Sequence, residues 1–123
     1  MTGRKEWLFP DGELPPMGAD KNLYGHEAIV MTNPGDTDAE VTFTLYWTDR
    51  EPDTGYTVKV GARRVLCIHV TEKEGLGDSG IMVPPGEQYA IALSSTRPIV
   101  AQYGRLDMRT GVMAFYTTPG YCE

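Results

Sequence analysis

Two charged runs are the places where side chains of this chain have the types and spacing to do chemistry: Asp49-Arg50-Glu51-Pro52, and Ala62-Arg63-Arg64 further on. The first closes a long alternating segment, Val41 to Trp47, and the second opens the next strand-like run. A plain turn needs only Gly, Asn or Asp. Guanidinium beside carboxylate makes charge-assisted, often bidentate hydrogen bonds. The pattern predicts that the acidic corner faces the two arginines across a short connection. It serves either as a salt-bridge lattice that fixes a corner or an oligomer contact, or as one wall of a polar ligand pocket. Neighbouring strand residues point to opposite faces. Only one of Arg63 and Arg64 is therefore expected to enter a given pocket, and the other to serve an ion pair or a subunit contact.

The chain has two histidines, His26 and His69. A metal centre built from two histidines and a carboxylate needs both on one edge of the fold. Spacing does not establish that, and each reads as a strand-end or core-edge residue satisfied by hydrogen bonds; no metal site is expected. A histidine could act as general base beside Asp49 or Glu51, but no nucleophile stands in a recognisable context. The phosphate-loop, dinucleotide, nucleophile-elbow, CxxC and HExxH patterns are all absent. The expectation is a protein that is not an enzyme and carries no cofactor. A second polar cluster, Gln102, Arg105, Asp107 and Arg109, reads as an exposed turn or as part of a site. The candidate ligand-binding set is His26, Glu27, Asp49, Arg50, Glu51, Arg63, Arg64, Gln102 and Arg105. Together these supply the donors and acceptors that a polyhydroxylated or carboxylated ligand requires. The aromatics Trp7, Tyr24, Tyr46, Trp47, Tyr56, Tyr89, Tyr103 and Tyr116 read as core or oligomer contacts, with a sugar-stacking platform as the rarer use.

The elements that position these residues are short strands. Fourteen glycines and nine prolines punctuate the chain, and no window sustains a helical apolar period. Strands are predicted at 26–32, 39–48, 56–60, 64–70, 88–95, 98–106 and 112–118. Val41, Phe43, Leu45 and Trp47 share one face of the second; Thr42, Thr44, Tyr46 and Thr48 share the other, as in a half-buried antiparallel strand. Residues 10–16 and 71–80 read as loops, and Ser94 to Pro98 as a turn. The fold class is all-β: an antiparallel β-sandwich, one domain over 1–123, with little or no helix.

Bulk properties narrow the function. At 123 residues the chain can bury about two thirds of its unfolded surface, enough for a core without staples. The net charge of −6 argues against nucleic-acid binding, since neutralising phosphate needs a basic face. No apolar run approaches the ~20 residues of a membrane span, and the N-terminus does not read as a signal peptide. Cys67, in an apolar run, is expected to be a buried free thiol and Cys122 a mobile one, in a reducing cytoplasm.

The order Trp7…Gly12…Pro15-Pro16…His26-Glu27…Asn33-Pro-Gly-Asp36…Tyr46-Trp-Thr-Asp-Arg-Glu-Pro52…Tyr56…Ala62-Arg-Arg64…Pro98-Ile-Val-Ala-Gln102…Arg105-Leu-Asp-Met-Arg109 resembles the sensory rhodopsin transducer family. The resemblance covers about residues 7–110. It implies an all-β sandwich that assembles as a homotetramer in the cytoplasm and hands a signal from a membrane photoreceptor to other proteins. For relatives without a rhodopsin it implies a binding role toward a small polar ligand such as a sugar.

Overall fold

The computed structural model describes residues 2–123. It contains nine strands and, among the described residues, no helix: β1 (Arg4–Glu13), β2 (His26–Asn33), β3 (Ala39–Trp47), β4 (Asp53–Val60), β5 (Arg64–Thr71), β6 (Gly75–Leu76), β7 (Gln88–Asp107), β8 (Ala114–Thr118) and β9 (Tyr121–Cys122). All pairings are antiparallel. The first sheet runs β4-β3-β7-β1-β9 and the second β6-β5-β2-β7-β8.

The two sheets share β7, a 20-residue strand. Its first half, up to Ser95, pairs with β3; its second half, from Val100, pairs with β2. The turn expected at Ser94 to Pro98 is instead the bend where β7 passes from one sheet to the other. Pro98 cannot donate to a ladder, and the β1 partner jumps from Ser94 to Ile99 there. The Ser95 hydroxyl donates to the Arg97 carbonyl at 2.6 Å and accepts the Arg97 amide at 3.3 Å, which satisfies the bend locally.

Period-2 alternation sorts the core. Val41, Phe43 and Leu45 of β3 are buried, as are Ile29 and Met31 of β2 and Ile91 and Leu93 of β7. The apolar run Val65 to Ile68 is split the same way. Leu66 and Ile68 pack against the core, and Cys67 is exposed rather than buried, because it sits on the outer face of β5. Cys122 is not a loose end: it lies in β9 opposite Trp7, and both thiols are free.

Other local readings change with the fold. Residues 10–13 continue β1 instead of looping, through an irregularity between Phe9 and Gly12. A Cβ on Gly12 would lie 2.8 Å from the Tyr89 ring, so only glycine lets β1 run this close to β7. The 71–80 segment contains β6 and the fully buried Leu76. The acidic corner and the arginine pair do not face one another. They lie at opposite ends of β4, eight residues or about 26 Å of strand apart. Arg63 is not a strand residue at all but a turn residue with φ 56.

Two substitutions follow from this backbone. Gly75 has φ +73, and a Cβ there would stand 2.0 Å from the Ile81 carbonyl oxygen. Gly75→Ala should lower unfolding free energy by more than about 2 kcal/mol in urea titration. Arg63→Gly relieves a left-handed conformation and loses only an Arg63–Asp36 pair whose side chains are 72% and 80% exposed. Its stability should stay within about 1 kcal/mol of the parent.

Candidate functional site

Among the described residues, Glu27 is the one acidic residue in the core. Alternation along β2 places it on the inward face with Ile29 and Met31, and its exposure is 0%. Three donors converge on its carboxylate. The Tyr89 hydroxyl donates to Oε1 at 2.5 Å. The Tyr103 hydroxyl donates to Oε2, as does the Glu13 backbone amide at 3.0 Å. Tyr89 and Tyr103 lie in the two halves of β7, so one hydroxyl arrives from each sheet. Arg105, paired with Glu27 across β2 and β7, donates from Nε to the Tyr103 hydroxyl at 3.0 Å and from Nη2 to the Asp11 carbonyl at 3.1 Å.

The electrostatics follow from burial. Desolvation raises the Glu27 carboxyl above its ordinary value, against the lowering effect of the tyrosine and amide hydrogen bonds and of Arg105. Both tyrosines are pushed up, first by burial and then by the carboxylate beside them, so they remain hydroxyl donors.

Beside this network lies an open cleft of about 540 Å³. Phe9 and Tyr103 line it with Pro10, Asp11, Tyr116 and Tyr121. The cleft exists because β8 pairs with the second sheet and β9 with the first. The chain between them crosses the side of the sandwich as a strap. The Arg105 guanidinium lies over the rings of Tyr103 (5.7 Å) and Tyr116 (5.1 Å), a cation–π arrangement.

The candidate residues read from the sequence fall in separate places. Glu27 and Arg105 meet in the buried network. His26 is next to them but points outward. Its Nδ1 bonds the Tyr24 carbonyl at 2.9 Å, and a carbonyl only accepts, so that nitrogen carries the proton. Its ring meets that of His69 edge-on at 5.2 Å, and burial together with His26 lowers the His69 pKa. Gln102 is exposed on the outer face of β7. Asp49, Arg50 and Glu51 form the β3–β4 corner, where Arg50 bonds Asp49 at 2.7 Å and Glu87 at 2.5 Å. Arg63, in the β4–β5 turn, pairs at 2.7 Å with Asp36 of the β2–β3 loop, and Arg64 is exposed beside it. Among the described residues no three His, Cys, Asp or Glu side chains form a metal-holding group.

Tyr89, Tyr103 and Asp11 complete the site and lie outside the candidate set read from the sequence. A signal was available. A glutamate in phase with Ile29 and Met31 must be buried, and a buried carboxylate demands donors. Tyr89 and Tyr103 are the hydroxyl-bearing aromatics in phase with apolar β7 residues.

An all-β sandwich of two antiparallel sheets on one shared strand is a transducer-type β fold. The chain belongs to the Anabaena sensory rhodopsin transducer family, whose sequence model matches residues 2–122. That match includes the 71–88 segment and the tail after Gly111, where the sequence shows no distinctive motif. Two solved structures are similar. The "Crystal Structure of Thermotoga maritima 1070" has a TM-score of 0.84 and 30% identity, covering 100% of this chain and 97% of that one. The "Anabaena sensory rhodopsin transducer" has a TM-score of 0.65 and 35% identity, covering 82% of this chain and 87% of that one. No curated protein sequence matches.

The buried carboxylate gives a pH signature. A raised folded pKa means the folded state keeps a proton that the unfolded state releases. The stability Glu27 contributes is full below its ordinary value of 4.5 and is lost as pH rises through the folded value. Glu27→Gln should remove that part of the pH slope in thermal melts. Tyr103→Phe should cost about 1–3 kcal/mol and steepen the slope, because it removes a bond that lowers the carboxyl pKa.

Proposed function

We propose that this protein is a non-catalytic, cytosolic signalling protein that works by binding: it assembles as a homotetramer and relays a signal through protein contacts. The observation that carries this reading is the outer face of the second sheet. Val65 (63% exposed), Val100 (42%) and Phe115 (65%) stand on it, beside Ala28 and Val30 of β2. The 14–25 loop reaches this sheet at its His26 end, where the Tyr24 ring lies 5.6 Å from that of His26, and exposed apolar side chains such as Val65, Val100 and Phe115 suit contact with protein. Family membership supports a transducer-like role, and the name of the Anabaena relative points to a membrane photoreceptor as the class of upstream partner. No helix of the described residues is long and apolar enough to cross a membrane, and the net charge of −6 favours protein over nucleic-acid partners.

A second reading rests on the cleft. Tyr116 and Tyr121 offer ring faces, and Asp11, Thr117 and Thr118 offer polar groups, a combination suited to a small polyhydroxylated ligand such as a carbohydrate.

Two measurements test these readings. Val100→Asp and Phe115→Asp should reduce the mass seen by light scattering and weaken co-sedimentation with membranes that carry a photoreceptor, with the circular dichroism of the parent retained. Unchanged mass and binding would refute the first reading. A thermal-shift screen of neutral and acidic sugars tests the second. A binder at about a hundred times its Kd adds about 2.7 kcal/mol of stability, and Tyr116→Ala should abolish the shift. A flat screen removes that reading.

A further inference from the structure

The apolar core is unfinished along one side. Tyr56 and Val58 of β4 and Leu66 and Ile68 of β5 pack against it but are only half-buried. They line an open groove of about 610 Å³ between the strand that ends the first sheet and β5 of the second. Edge strands usually carry devices that discourage pairing with another chain. β4 has two, Lys59 and an irregularity in its ladder at Phe43/Thr44. The stretch Val65-Leu-Cys-Ile68 of β5 has no lysine, proline or bulge.

The backbone of β5 shows what this edge lacks. The His69 carbonyl accepts from the Gly77 amide at 2.8 Å, so the main-chain groups of His69 point away from β2. In an antiparallel strand that direction recurs at every second residue. The N–H and C=O of Cys67 and Val65 therefore point to the same open side. β6 pairs only with Val70 and Thr71 and does not reach them. An added polypeptide strand supplies donors and acceptors at this repeat, and side chains that alternate between the groove and the outer face.

The groove-facing side chains of β5 say which strand fits. Arg64, Leu66 and Ile68 alternate onto that face, while Val65 and Cys67 turn outward. Leu66 and Ile68 ask for apolar neighbours. The Arg64 guanidinium bonds the Arg63 carbonyl at 3.2 Å and, among the described residues, pairs with no carboxylate; it asks for one. We propose that β5 accepts an extended segment of a partner protein as a further antiparallel strand, with the pattern apolar, any, apolar, any, acidic. Residues opposite one another in an antiparallel pair share a face, which sets the register. The two apolar residues stand opposite Ile68 and Leu66, and the acidic residue opposite Arg64. The two intervening residues stand opposite Cys67 and Val65 and exchange main-chain hydrogen bonds with them. β6 sets where the segment begins, because Gly77 occupies the His69 carbonyl and Leu76 stands opposite Val70. This inference goes beyond the protein contacts proposed above, since it places a partner segment on a surface separate from the Val100 and Phe115 face.

The probe is the synthetic peptide acetyl-Gly-Val-Thr-Val-Thr-Glu-Gly-amide, titrated into the full-length protein and followed by amide NMR signals and hydrogen exchange. The Val65 and Cys67 amides should exchange freely in the protein alone and slow by about tenfold or more with saturating peptide. N-methylation of the first threonine, opposite Cys67, removes a donor aimed at β5 and should weaken binding about tenfold. N-methylation of the second valine, whose N–H points away from β5, should leave the affinity unchanged. Arg64→Glu should weaken the peptide about threefold, as for an exposed ion pair, and a peptide with lysine in place of glutamate should recover the loss. Absence of binding at millimolar peptide overturns the proposal. Val65 and Cys67 amides already protected in the protein alone mean that a second copy covers the edge, and overturn it too. Equal weakening by the two N-methyl peptides does the same, because it marks apolar docking without strand pairing. Val100→Asp and Phe115→Asp should leave peptide affinity as in the parent, so this inference and the face reading can each fail alone.

Discussion

The structure depends on one buried carboxylate. Glu27 has no exposed surface, and an uncompensated charge in such a place would cost several kcal/mol. Its compensation is tertiary. Tyr89 comes from the half of β7 in the first sheet, Tyr103 from the half in the second, and the Glu13 amide from the end of β1. No single sheet can supply this set. Satisfying the carboxylate therefore fixes the spacing of the sheets, the path of β7 between them and the place where β1 ends. An apolar core of the same volume could be as stable or more so. What the polar clamp adds is discrimination: a slipped register of β2 or β7 would turn Glu27 or a tyrosine outward and leave buried groups unpaired.

The clamp also adjoins the charged corner that the sequence advertises. Arg50 lies 4.1 Å over the Trp47 ring, Trp47 stacks on Tyr89 at 5.5 Å, and Tyr89 holds Glu27. The Asp49–Arg50–Glu87 lattice is thus the outer end of a packed column whose inner end is titratable. Contiguity alone is not coupling. Coupling needs an element with two states, and the column by itself supplies only the contiguity.

Much of this was legible in the sequence and some was not, for physical reasons. Strict alternation from Val41 to Leu45 identifies a half-buried strand without any structure. The same rule, applied strictly, turns Cys67 outward and Glu27 inward; an apolar neighbourhood in sequence is not one in space. Ser94 to Pro98 carries the residues of a turn, yet the chain bends there without reversing. A missing amide donor and a hydroxyl that satisfies the bend look the same in sequence whether a strand ends or changes sheets. The partnership of Glu27 with Tyr89 spans 62 positions, and no local pattern reports it. The acidic corner and the arginine pair are near in sequence and far in space for the complementary reason: both flank β4, and a strand separates its flanks by its whole length.

The shared strand has a further consequence. Because β7 lies inside both sheets, the sandwich has two unlike sides. On one, the strap from β8 to β9 crosses between the sheets and bounds the Tyr116 cleft. On the other, β4 and β5 are splayed; the Tyr56 hydroxyl, bonded to Asp78 at 2.6 Å, and Asn33 Nδ2, which donates to the Val60 carbonyl at 3.0 Å, reach across. A small sandwich with an open side must either protect its edges or use them. β4 shows the first course: Lys59 and a ladder irregularity at Phe43/Thr44 stand on it, and both discourage pairing with another chain. The two sides therefore differ in kind, one crossed by the strap that bounds the Tyr116 cleft, the other open along two strand edges.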